Sequence, residues 1–334
     1  MATRIRLGTN LPFPGSALAT QRPLLEELRG AGLDEVWTGE YNRSDGAVPL
    51  ALVAGWDELV GLTAGILNIA TRGPALMAMT VAGLAEVAPG RVTVGLGTSS
   101  PVTVERWNGM TNDRPLTRMR ETLELIDLVL GGGRTSGGYT TFASDSFQLA
   151  QTPEVAPRVA LAALGPRMQQ LAATHADAVI TGFIGPGDVG RIRQNTDVKG
   201  RRRPGPLELL VGVWVLPAMD DAVGDDTARR TLTQYLNAPA YAAQQRWLGR
   251  SDQLGPMWEA WQRKDRRGAL EAIPETVVDD LIVRGTPSEC ATRIRAFADA
   301  GTDSVNVMLV PTTAVSPEEQ SAFLADVLRA VKPA

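Results

Sequence analysis

The sequence predicts a (β/α)8 TIM barrel of the α/β class, with insertions at its C-terminal mouth. Three observations lead there. Short β-type runs alternate with amphipathic helical stretches along most of the chain, which is the pattern of a parallel sheet with crossover helices. Eight such runs can be counted, where a doubly wound open sheet usually has about five to seven. The length of 334 residues exceeds the roughly 250 of a typical barrel by an amount that two loop-rich segments absorb.

The expected strands are residues 5–9, 35–39, 62–69, 92–97, 158–163, 178–182, 209–216 and 304–310. A helix over 22–29 separates the first two, with Pro23 near its start and Gly32 beyond its end, the usual asymmetry of helix punctuation. Two further helices open on capping boxes, Thr286-Pro287-Ser288-Glu289 and Ser316-Pro317-Glu318-Glu319, each with a hydroxyl at the N-cap and glutamate at the third helical position. The excess length falls in 131–157, rich in Gly, Ser and Thr, and in 217–285, which reads as several short helices carrying Trp247, Trp258 and Trp261. The whole of 1–334 is read as one domain, with both segments expected over the mouth, where such folds hold their sites on βα loops. The Gly/Ser-rich stretch 131–146 is expected to be mobile.

Composition narrows the function. With 44% hydrophobic and 21% charged residues and a net charge of −4, the chain is a soluble globular protein rather than a disordered one. Of 33 basic residues only Lys199, Lys264 and Lys332 are lysines, which leaves 30 arginines. A net-acidic chain argues against general nucleic-acid binding, and Arg201–Arg203 beside Pro204 reads as a solvated loop. A lone cysteine, Cys290, excludes an internal disulfide, and a lone histidine, His175, excludes the His/Cys clusters of most zinc and iron sites. A reducing cytoplasm is the expected compartment. The start of the chain lacks a signal-peptide stretch, and the longest charge-free apolar runs, 59–71 and 73–85, fall short of a membrane span.

Gly95-Leu-Gly97-Thr-Ser-Ser100 follows a strand but lacks the third glycine of a dinucleotide fingerprint. Neither a P-loop nor a Gly-x-Ser-x-Gly elbow occurs, and His175 reads as the end of a helix rather than a base. Leu164-Gly165-Pro166-Arg167 joins a strand to a helix. Free N–H groups there and the Arg167 guanidinium would make an anion site; an ordinary βα turn has the same residues. Glu40 and Asn42 follow the second strand, Asn68 and Thr71 end the third, and Thr98, Ser99 and Ser100 end the fourth, so a barrel would collect them at its mouth, though Asn and Thr also serve as turn residues. Glu40 is the one carboxylate so placed. It is expected to protonate or orient substrate, burial being what makes a carboxyl hold its proton. Trp107 is either a stacking wall for a planar cofactor or a plug of the mouth.

Five stretches, in order along the chain, resemble the bacterial luciferase-like superfamily, and within it the coenzyme F420-dependent oxidoreductases of the actinobacterial and methylene-tetrahydromethanopterin reductase type. They are Ala31-Gly-Leu-Asp-Glu-Val-Trp-Thr-Gly-Glu40, Ala70-Thr-Arg-Gly-Pro-Ala75, Ala88-Pro-Gly-Arg-Val-Thr-Val-Gly-Leu-Gly-Thr-Ser-Ser-Pro101, Leu161-Ala-Ala-Leu-Gly-Pro-Arg-Met168 and Gly285-Thr-Pro-Ser-Glu-Cys290. The resemblance implies a luciferase-like barrel with a deazaflavin across its mouth, the phosphate at Gly165, Pro166 and Arg167 and the ring near Asn68, Thr98 and Ser99. It adds Asn42, Gly65, Ile66 and Gly97 to the cofactor set, with a non-prolyl cis peptide at Gly65–Ile66. A deazaflavin has carbon where flavin has N5, so it moves hydride to or from a small organic substrate. The histidine that sugar-phosphate-oxidising relatives place after strand two is replaced here by Glu40-Tyr41-Asn42, which disfavours that substrate class. Two alternatives stay open: a monooxygenase using reduced FMN, and a barrel that binds a ligand or partner without redox chemistry. Such proteins often form homodimers through barrel helices; the apolar stretches 50–53 and 77–84 offer such a face, and core packing explains them equally well.

Overall fold

In the computed structural model of the chain, which describes residues 5–40 and 42–332, eight parallel strands close into a barrel. They are β1 (Arg6–Asn10), β2 (Glu35–Thr38), β3 (Gly61–Asn68), β4 (Val92–Gly97), β5 (Arg158–Ala162), β6 (Ala178–Gly182), β7 (Glu208–Pro217) and, after a short β8 (Ile282–Gly285), β9 (Ser304–Leu309). Neighbours pair in chain order from β1 to β7, β7 pairs with β9, and β9 returns to β1. Each expected strand lies within one residue of an observed one.

The crossover helices are α1 (Arg22–Gly30), α2 (Val48–Ala54), α3 (Pro74–Val87), α4 (Pro115–Leu130), α5 (Pro166–His175) and α6 (Val189–Thr196). Beyond β7 come α7 (Asp221–Leu236), α8 (Pro239–Trp247), α9 (Ser251–Gln262), α10 (Arg266–Glu271) and α11 (Glu275–Leu281), then α12 (Pro287–Asp299) and α13 (Pro317–Val331) on either side of β9. The capping boxes at Thr286 and Ser316 are formed as expected.

The two long segments have different fates. Helices α7–α11 leave the C-terminal end of β7 and pack as a second apolar cluster on Phe183, Trp214, Leu216 and Val310 at the mouth. Arg250, buried, ties them down by holding Asp188 at 2.7 Å and Asp280. The short β8, unforeseen, continues the sheet on the flank of β7 that β6 vacates after Gly182: Trp214 to Pro217 pair with Ile282 to Gly285.

The segment 131–157 leaves α4 at the N-terminal face and folds back along that helix toward its first turn, where Arg118 donates to the Thr141 carbonyl at 3.3 Å. Thr135 N–H donates to the Phe147 carbonyl at 2.8 Å, and the Thr135 carbonyl accepts the Ser146 N–H at 2.8 Å. The Glu121 carboxylate accepts the N–H and the hydroxyl of both Thr140 and Thr141 at 2.5–2.9 Å.

Inside the barrel, alternation sends every second strand residue inward. Nearest the N-terminal face lies a charged layer: Arg6 pairs with Glu35 and Glu208, Arg158 reaches Glu208 at 2.9 Å, and Glu35 also accepts Ser304 Oγ at 2.9 Å. Above it sits Trp37, 2% exposed, among Ala160, Ala178, Ile180 and Leu210. Its indole occupies space that glycines leave open. A Cβ on Gly8 would stand 2.5 Å from Trp37 Nε1, and one on Gly65 2.6 Å from its ring.

Two outcomes follow. Gly8→Ala is expected to overpack the barrel and lower stability by about 1–3 kcal/mol, read from denaturant unfolding; an unchanged midpoint would show that Trp37 has room to yield. Burial alone would raise the Glu121 carboxyl, but the threonine hydrogen bonds bring it from 4.5 down to about 2. Its stabilising effect is therefore complete above the ordinary value and is lost as pH falls through the depressed one. Glu121→Gln is expected to cost about 1–3 kcal/mol at pH 7 and to flatten the loss of stability between pH 4.5 and 2, measured by unfolding at each pH.

Candidate functional site

At the mouth, β3 carries an extra residue. Gly65 pairs with Gly95, but the next pair is Leu67 with Leu96, so Ile66 is left over as a bulge. The Gly65–Ile66 peptide is cis, where the resemblance placed it. The Ile66 side chain lies across Gly97, where a Cβ would come within 2.6 Å of it.

The bulge restores the inward parity of Asn68, which pairs with Gly97 and is fully buried. Asn68 Oδ1 accepts the Ala70 N–H at 2.8 Å, while its Nδ2 has no partner. Buried polar groups are nearly always satisfied, so this donor is aimed at something the barrel itself does not provide.

Glu40 stands behind that residue. Its Oε2 accepts the Asn68 N–H at 2.7 Å, and its Oε1 accepts Arg72 Nε at 2.8 Å. Arg72 also reaches Asp45. Burial works against the Arg72 charge, but Glu40 and Asp45 raise its pKa above the ordinary guanidinium value. A carboxylate engaged on both oxygens by a cation and a backbone N–H is a brace. Both Glu40 oxygens are engaged in this way, one by the Asn68 N–H and one by Arg72.

The fourth strand exits through Thr98, half-buried, and Ser99, whose φ of 55° lies in the left-handed region. Asn112 Nδ2 donates to the Thr98 carbonyl at 3.1 Å, and Arg118 Nε to the Ile69 carbonyl at 3.1 Å, so the loop after β4 and the start of α4 are fastened to the rim. Asn42 and Ser100 are exposed; Tyr41 lies outside the described residues.

Beyond β5, Gly165 is the N-cap of α5 and Pro166 its first residue; no side chain caps the turn, and a Cβ on Gly165 would meet nothing within 4 Å. Arg167 is the second residue of α5. Its side chain is exposed and lines, with Thr117, Arg120 and His175, a groove of about 400 Å³ between α4 and α5. His175 sits in the last turn of α5 with Nδ1 3.3 Å from the Leu171 carbonyl, the structural role its sequence context suggested. Burial and Arg202 lower its pKa. Trp107, 55% exposed, stands on a π-helical turn at the rim and stacks on no other ring among the described residues.

A wall that the sequence did not disclose faces these groups from β6 and β7. Phe183, Trp214, Tyr235 and Tyr241 pack with ring centroids 4.9–5.8 Å apart. Two fully buried glutamines fasten α8 above the β6 exit. Gln244 donates to Thr181 Oγ1 at 3.2 Å and to the Gly182 carbonyl at 3.1 Å, and Gln245 to the Phe183 carbonyl at 2.8 Å. Trp214 could have been found from the inward parity of its strand; Tyr235 and Tyr241 arrive only through the folding of α7 and α8. Among the described residues no cluster of His, Cys, Asp or Glu is arranged to hold a metal, and no helix is long and apolar enough to cross a membrane.

Comparison with known proteins bears on the family and the fold. Two relatives of similar length are a 5,10-methylenetetrahydromethanopterin reductase from Archaeoglobus fulgidus, 26% identical over 88% of this chain and 89% of its own, and a putative coenzyme F420-dependent oxidoreductase from Mycobacterium tuberculosis, 26% identical over 96% and 98%. The barrel superposes on the coenzyme F420-dependent tetrahydromethanopterin reductase from Methanopyrus kandleri with a TM-score of 0.73 at 20% identity, covering 97% of both chains. An F420-dependent secondary alcohol dehydrogenase superposes at 0.72, with 16% identity over 98% of this chain and 99% of that one. Residues 4–304 match the family described as luciferase-like monooxygenase, and with that match over a closed parallel barrel, the chain belongs to the luciferase-like family and is an enzyme of its oxidoreductase type.

Proposed function

We propose that the chain is an F420-dependent oxidoreductase that transfers hydride between the deazaflavin and a small organic substrate. The observation that carries this reading is the unpartnered Asn68 Nδ2, fully buried beside the Ile66 bulge and Gly97. A planar heterocycle edged with carbonyl acceptors is what such a donor fits. The names of the relatives in the 26% identity range support F420 in particular.

When bound, the deazaflavin supplies a carbon centre that gives or takes hydride. The remaining work belongs to the chain. Asn68 and the backbone about Thr98 and Ser99 hold the ring edge, Ile66 and Gly97 set its depth, and Asn42 borders it. The uncapped N–H groups that follow Gly165 and Pro166 receive the phosphate, with Arg167 turning from its groove to join them. Glu40 is a positioning residue that keeps Asn68 in place. In this reading the protein works in the cytoplasm on a small molecule, without nucleic acid or membrane, and as a homodimer through the face that bears the exposed Leu76 and Met79 of α3.

Titration with oxidised F420 and, separately, with FMN, following fluorescence quenching, tests the cofactor. Micromolar binding of F420 alone is expected. Binding of FMN alone would replace the reading with a flavin monooxygenase, and binding of neither with a barrel that has left redox chemistry. Glu40→Gln is expected to weaken F420 about tenfold, equivalent to 1.4 kcal/mol, and to leave the pH profile of kcat in place. A displaced acid limb would restore Glu40 as the proton donor.

A further inference from the structure

Inside the barrel, on β9, which β1 and β2 separate from the strand of Asn68, lies a second unsatisfied amide. Asn306 on β9 is 3% exposed, and its register neighbours are Gly212 on β7 and Gly8 on β1, so both flanking strands are bare of side chains at its level. Its Nδ2 donates to Asn10 Oδ1 at 2.8 Å, and its own Oδ1 has no partner. Packing alone gives no reason for a carboxamide here, since an apolar residue would fill the place without a buried unmet oxygen.

The two amides have a further property. Rotating both carboxamides by half a turn exchanges N for O in each. The bond between them survives with its direction reversed, and the free atom of Asn306 changes from an acceptor to a donor. The pair can therefore receive a hydroxyl or present a hydrogen to a carbonyl without losing its own contact.

The surroundings are neutral. One inward step beyond Asn306, Met308 pairs in register with Trp214, and the Met308 sulfur fills the space above Gly212, 2.9 Å from where a Cβ would be. A thioether is the side chain that yields most readily. The inward charges of the strands, Arg6, Glu35, Arg158 and Glu208, lie in the layer nearer the N-terminal face and are paired with one another. The described strand residues that face inward above that layer carry no ionisable group.

We propose that the Asn10–Asn306 amide pair is the polar anchor of the substrate, and that the substrate is a compact, uncharged, largely hydrocarbon molecule bearing one hydroxyl or carbonyl group. The inference rests on the reading of the barrel mouth as the reaction site. An anionic substrate would find no cation on this wall, and a strongly polar one would leave its other groups unmet against Trp214 and Met308.

The experiment compares the parent with Asn306→Leu and Asn306→Ser. Thermal unfolding of the free proteins comes first: Asn306→Leu is expected to unfold at or above the parent midpoint, because it removes an unmet polar atom. F420 quenching comes second, and its dissociation constant is expected to stay within twofold. Third, cyclohexanol and cyclohexanone are titrated against acetate and methyl phosphate, following the shift in unfolding midpoint with and without F420. The neutral probes should saturate the parent, weaken at least tenfold in Asn306→Leu and recover in part in Asn306→Ser, while the anions give no shift. A lowered midpoint for both variants would make Asn306 a structural residue and overturn the proposal; so would undiminished probe binding by Asn306→Leu, preference for the anions, or no saturable probe. Asn306-dependent binding of the neutral probes by a parent that ignores F420 would overturn the cofactor reading while supporting the anchor.

Discussion

One indole divides the molecule. Trp37 fills the middle of the barrel so fully that two neighbouring strands must be glycine where they pass it, and this exclusion separates two media. On the N-terminal side, arginines and glutamates neutralise one another in a closed set of pairs. On the other side the inward strand residues are glycine, alanine, asparagine and large apolar groups. Charges desolvated in a narrow interior are tolerable only when matched, so the pairs below Trp37 are a structural floor. The neutral space above it is where selectivity for a ligand can be built from hydrogen bonds and shape.

That upper space has two walls of different character. On the β3–β5 side the backbone is specialised: a bulge, a left-handed serine and an uncapped helix start create close approaches and free donors. These features depend on main-chain geometry, and Glu40, held by Arg72, keeps one of them rigid through the Asn68 N–H. On the β6–β9 side the backbone is regular and the side chains are distinctive, with four aromatic rings, Met308 and a buried amide pair. A reaction common to many proteins suits the first wall, and discrimination among substrates suits the second.

The sequence disclosed the barrel well because its strands announce themselves through alternation and through punctuation by glycine and proline. It disclosed the mouth residues by position alone: Asn68, Thr98 and Gly165 fall at strand ends whatever their roles. Their interactions were not legible. That Glu40 would be braced by Arg72, 32 residues away, depends on how two loops meet. The four residues of β8 gave no periodic signal, and the direction taken by 131–157 turned on Glu121, a helix residue whose partners lie 19 and 20 positions along the chain. The aromatic wall needed α7 and α8 in place before its members met. The resemblance supplied what spacing could not, the cis peptide among it.

The short β8 has a bearing on how such a protein diversifies. Its pairing with the distal half of β7 uses main-chain groups, which every residue except proline supplies equally. The helical excursion between the two strands is thus moored at its return point by bonds indifferent to side-chain identity. Tyr235 and Tyr241, on the side of α7 and α8 that meets the aromatic wall, can be exchanged over generations while the buried Met257 and Trp258 and the Arg250 pairs keep the scaffold docked on the rim, so appetite for new compounds can drift without the barrel having to be refolded around each change.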